Sequence, residues 1–159
     1  MSPLTYYALW LLGGLLVVAI VSASLTWLMR RREQALVLAQ ALSRHAVWVA
    51  AQRSKVALEL QRDEADAALQ QAAAVQSRWF PALAGEFRAL LEIDRRLDTF
   101  LAAQHALRMT DAEAWLESDH DEHFLALWRE YLVALDRLTE RLARLTGEAA
   151  PSVEHGSSA

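Results

Sequence analysis

Hydrophobic and polar positions divide this chain into a solid apolar block, a stretch that is apolar on nearly every face, and segments whose apolar residues recur every three to four positions. The solid block runs from Leu4 to Met29 and carries no charged side chain. As a helix it would be about 39 Å long, more than the ~30 Å hydrocarbon core of a bilayer. Tyr6, Tyr7 and Trp10 stand near one end and Trp27 at the other, where amphipathic rings settle into the headgroup layers. Arg30, Arg31 and Arg32 close the block. This pattern predicts a single transmembrane helix over residues 4–29, preceded by a short extension, residues 1–3. Val21-Ser22-Ala23 offers the small residues of a signal-peptidase site, but no basic side chain precedes the apolar core. The arginine triplet predicts a translocated N-terminus and a C-terminal domain retained in the cytoplasm, at the inner (plasma) membrane.

From Glu33 to Arg78 there is neither Gly nor Pro, and Ala, Leu, Gln and Arg dominate. Such a composition predicts one helix continuous with the anchor, about 69 Å long, that stops at Pro81. Beyond it, the stripe Leu83, Phe87, Leu90, Ile93/Asp94, Leu97, Phe100/Leu101 and Gln104 predicts a second amphipathic helix from Ala82 to about Arg108. The steps of four and three through Phe124, Trp128, Tyr131, Leu135, Leu138, Leu142 and Leu145 predict a third, capped by Ser118 and stopped by Gly147. Thr110-Asp111-Ala112-Glu113 has the form of a capping box and predicts a short helix over residues 111–117. Residues 148–159 read as a polar, disordered tail.

The expected fold is therefore all-α: an N-terminal transmembrane helix continuing into a long helix that joins an antiparallel three-helix bundle over residues 53–147. Equal helix lengths leave residues 30–52 as an unaccompanied stalk, basic at its start and apolar beyond. A helix apolar all round requires cover. Leu38, Leu42, Val47, Trp48 and Ala51 on the stalk are thus expected to bind a partner, together with Ala19 and Ala23, a small-xxx-small pair in the anchor. The expected partners are membrane lipid and either a second copy or another membrane protein.

Composition narrows the chemistry. No cysteine is present, so disulfides and thiolate metal sites are excluded. Residues 30–62 hold seven basic against two acidic side chains, a net +5 that leaves −9 for the remainder. Basic residues near the anchor suit an anionic leaflet, whereas an acidic distal part argues against nucleic acid. Helix two, returning from Pro81, is expected to bring the acidic 111–122 segment to the membrane-facing end, beside Arg53 and Lys55. His120 and His123 lie among Asp111, Glu113, Glu117, Asp119, Asp121 and Glu122 and are weak candidates for a metal or a pH response; their spacing matches no metal motif, and carboxylates at a helix start are explained by capping. Isolated His45 and His105 read as ordinary interface or surface residues. Trp48, Trp79, Trp115 and Trp128 read as core packing, and neither a nucleophile–base pair nor a phosphate loop is present. The reading is a non-enzymatic, membrane-anchored adaptor, scaffold or accessory subunit without cofactor or small-molecule substrate. Its rivals are a periplasmic coiled-coil envelope or lysis effector of opposite topology, and a metal- or pH-responsive sensor.

Overall fold

The computed structural model describes residues 3–52 and 59–147, with side chains from 13–52 and 62–147. Among them are five α-helices and no strand. Helix α1 spans Pro3–Ala51, α2 Glu59–Trp79, α3 Ala84–Thr110, α4 Ala112–Glu117 and α5 His120–Thr146; a 3-10 turn, Pro81–Leu83, joins α2 to α3. α1 is the one described helix long and apolar enough to cross a membrane. Residues 13–30 of α1 are exposed throughout.

The expected continuous helix over 33–78 is not formed. α1 ends at Ala51, and α2 folds back along it, with Arg44 Nη2 donating to Gln71 Oε1 at 2.6 Å and the Arg31 guanidinium lying 5.6 Å from the centre of the Phe80 ring. Burial of the stalk accounts for the reversal. A straight helix would leave the apolar 35–49 stretch in water, while α2 carries a complementary seam, Ala65, Ala68, Ala72 and Val75, whose small side chains permit close approach. Leu38, Ala41, Leu42 and Val49 consequently lie in the core.

The bundle therefore has four long helices in up-down-up-down order in place of the expected three. α3 runs parallel to α1, with His45 level with Asp94, and α5 returns along α3, as the Arg96–Glu130 pair at 2.6 Å and the Arg141–Glu86 pair show. One core unites α1, α2, α3 and α5, through Leu38 and Leu42, Ala72 and Val75, Phe87, Leu90 and Leu97, and Tyr131, Leu138 and Leu142. Trp48, Trp79 and Trp128 pack on its margin, and Trp115 is buried.

Local stops fall near their expected places. Phe80-Pro81 ends α2, helped by buried Gln76, whose amide donates to the Phe80 carbonyl at 3.1 Å. Gly147 takes a left-handed φ of 71°, and its N–H caps α5 at the Ala143 carbonyl. Two caps differ. Asp111, not Thr110, caps α4 by accepting from Ala114 N at 3.0 Å, and α5 begins after Asp119, leaving the Ser118 hydroxyl bound to the Trp115 carbonyl at 2.7 Å. The tail lies outside the described residues.

Candidate functional site

Three places in this bundle carry more than packing. The first is a buried polar chain through the centre. α1 contributes His45, α3 Asp94 and α5 Tyr131, each at an inward position of its helix. The Tyr131 hydroxyl and His45 Nδ1 are 2.8 Å apart, and His45 Nε2 lies 3.2 Å from Asp94 Oδ1. All three groups are satisfied when Tyr131 donates to Nδ1 and the neutral imidazole donates from Nε2 to the carboxylate. Burial holds the His45 imidazole below its ordinary value, with Asp66 acting in the opposite sense. Burial raises Asp94 to about 6, helped by Asp98 and Asp66 and opposed by Arg62. Tyr131 is likewise raised by burial and by the Asp94 charge. The order carboxylate, imidazole, hydroxyl matches a nucleophile relay in form, yet the terminal hydroxyl is 0% exposed and harder to ionise than usual. What this arrangement does is bind three helices together.

The second place is a cleft of about 170 Å³ at the end of the bundle farthest from the apolar half of α1, lined by Gln52, Phe100, Gln104, Arg108, Trp115 and His120 among others. His120 stacks on Trp115 with ring centres 4.4 Å apart, and its Nδ1 sits 3.1 Å from the Ser118 carbonyl. Its Nε2 and Gln104 Oε1 are buried without a hydrogen-bond partner. A cleft of this size and polarity suits water. Because Gln52 at the end of α1 borders it, the acidic 111–122 segment lies at this far end. The expected position beside the membrane is thus corrected: α3 begins level with the start of the bundle and carries the segment away. His123 faces Phe100 at 6.3 Å, and no group of three or more metal-capable His, Asp or Glu side chains gathers among the described residues.

The third is a groove of about 730 Å³ between α1 and α2, with Val47, Trp48 and Ala51 facing Ala65, Ala67 and Ala68. Val47 is 67% exposed, and Trp48 Nε1 is buried without a partner. The expected partner-binding set is thereby divided. Leu38 and Leu42 are covered by their own chain, Val47, Trp48 and Ala51 line this groove, and Ala19 and Ala23 lie on the bare half of α1. Of the expected membrane-interface set, Trp27, Arg30 and Arg32 are exposed and Arg31 is half-buried, its guanidinium 5.2 Å from the centre of the Trp27 ring. The side chains of Tyr6, Tyr7 and Trp10 lie outside the described residues, as do Arg53 and Lys55.

Sequence reasoning missed the polar chain. His45 looked isolated because its partners stand 49 and 86 residues away; the one available signal was Asp94 on the apolar stripe of its helix. Comparison of the chain with protein-family models, with curated proteins and with solved structures finds no match.

Proposed function

We propose that this chain is a single-pass, membrane-anchored helical adaptor or accessory subunit. Residues 4–29 cross the inner membrane with the N-terminus outside, and the bundle works in the cytoplasm through helix–helix contacts. One observation carries the reading: an exposed apolar stretch of helix passes without a linker into a packed bundle that keeps an open groove, partly apolar, between α1 and α2. Four of the groove's ten lining residues are alanines, Ala51, Ala65, Ala67 and Ala68, which let a second helix approach closely, and Ser43, Arg44, Glu64 and Gln71 give it a polar rim. Its occupant under this reading is an apolar helix of a second copy or of another membrane protein, which would rest against the exposed Val47 side chain. Arg30, Arg31 and Arg32 support the inward orientation.

Two measurements test this. A topology reporter fused after Gly147 is expected to be active only in the cytoplasm; periplasmic activity would replace the adaptor by the envelope effector. A photo-crosslinking residue at Val47 is expected to give a discrete protein adduct in membranes, with none from Leu132 on α5. Equal yields from both positions would remove the groove from the reading.

A further inference from the structure

The fold sorts charge along the bundle in a way that the order of residues does not. Arg31 lies against both Trp27, at the end of the apolar half of α1, and Phe80, at the α2–α3 turn. That double contact holds the turn beside the point where α1 leaves its apolar half. Helix geometry places the rest. Arg144 follows Tyr131, which is level with His45, by thirteen residues, about 20 Å along α5, which returns it to the level of Arg32. Arg78, seven residues past Gln71, comes to within about 10 Å of that level. Arg88, in the second turn of α3, lies above it. Three separate helices thus add arginines to the triplet on α1, and Arg30, Arg32, Arg78 and Arg88 form no ion pair in the described residues. The Arg31 Nε is buried there without an acceptor. Glu33, Glu86, Asp136 and Glu140 are the acidic counterweight, and Glu86 and Glu140 are engaged with Arg141 and Arg144. At the opposite end the α3–α5 connection carries Asp111, Glu113, Glu117 and Asp119, and the first turn of α5 adds Asp121 and Glu122.

Helix dipoles account for part of this, since Arg78 and Arg144 sit in last turns. They do not account for Arg88, which stands near the positive end of α3 where a cation is disfavoured. We propose that this end of the bundle is a docking surface for anionic lipid headgroups of the leaflet from which α1 emerges, seating the domain upright on the membrane. The inference rests on the anchoring of residues 4–29. Phosphate oxygens supply the acceptors that Arg30, Arg32, Arg78 and Arg88 lack, and guanidinium matches phosphate in bidentate geometry. Repulsion of the acidic far end from the same leaflet favours the same upright pose.

The chain has no cysteine, so single labels can be placed without background. The full chain is reconstituted in nanodiscs of phosphatidylcholine alone, or with one quarter phosphatidylglycerol, carrying a spin label at position 18, 82 or 116 through V18C, A82C or L116C. Collision with a water-soluble paramagnetic chelate is then measured. The label at 82, on the α2–α3 turn, is expected to lose at least about threefold in collision rate when the anionic lipid is present. R78Q/R144Q, both at exposed sites, is expected to abolish that change, while the label at 116 stays accessible in both lipids. Equal access at 82 in the two lipids, or protection undiminished in R78Q/R144Q, would overturn the proposal. Protection at 82 without the anionic lipid would equally overturn it, since another occupant would then cover the surface. The label at 18 separates the underlying reading: if it is open to the chelate, the anchor itself fails and the docking surface with it.

Discussion

At the scale of single residues, the His45–Asp94–Tyr131 chain has a defined sign of pH dependence. Asp94 has a folded pKa of about 6, above the ~3.9 of an unfolded chain, so its ionisation is penalised in the native state. That penalty is absent below about pH 4, grows between about 4 and 6, and is complete above 6. His45 acts in the opposite direction. Its lowered pKa means the native state takes a proton less readily than the unfolded chain, so stability falls as pH drops below about 6.5. Asp94→Asn removes the first effect while keeping an acceptor for His45. It is expected to stabilise the full chain in detergent by roughly 1–2 kcal/mol at pH 8 and to lose that advantage near pH 4.5. Thermal midpoints at the two pH values check this; a difference independent of pH would show that Asp94 is not the penalised group. From the sequence His45 reads as an isolated interface or surface residue, and neither its burial nor its partners were legible, because hydrogen bonds across helices leave no local spacing.

At the scale of elements, the decisive helix is α1. Its half beyond Arg32 belongs to the core as fully as α5 does, since Leu38 and Leu138 are both 0% exposed. Leu38→Ala and Leu138→Ala should therefore each cost about 2–5 kcal/mol through the cavity left behind. Leu36→Ala, two residues from Leu38 on an exposed face, should cost under ~0.5 kcal/mol. Denaturant midpoints of the three variants test the assignment, and a Leu38→Ala variant as stable as Leu36→Ala would return the segment to a free stalk. The periodicity of α5 was legible almost residue by residue: Phe124, Tyr131, Leu138 and Leu142 are buried, with Trp128, Leu135 and Leu145 packed beside them. α2 was harder to read. Its buried seam is alanine, which serves equally as a core residue against a close neighbour and as a plain helix former.

At the scale of the whole molecule, the apolar half of α1 and the bundle form one continuous structural unit. No linker separates the bare half of α1 from the half that builds the core, so the position of the apolar half sets the position of every other helix. A fragment covering 31–147 is expected to unfold cooperatively. One covering 53–147 is expected not to, because it loses Leu38, Leu42 and Val49 from the core and leaves Asp94 and Tyr131 without His45. Urea titrations followed by circular dichroism distinguish them; a cooperative 53–147 fragment would reinstate the three-helix arrangement.

What the sequence by itself determined is local: the helical class, the apolar length of residues 4–29, the stop at Phe80-Pro81, the seam of α5 and the left-handed cap at Gly147. Each depends on neighbours within a turn or two, through backbone sterics or apolar period. Only the tertiary structure decided that the helix breaks after Ala51, that α2 returns along α1, that the acidic 111–122 segment lies at the far end, and that Arg31 lies between Trp27 and the α2–α3 turn at Phe80. Residues 33–78 are helix-competent throughout, so local preference cannot choose between a straight helix and a reversed one. The choice falls to burial of the 35–49 stretch, and water-exposed apolar surface carries an energy that only the complete assembly of helices can remove.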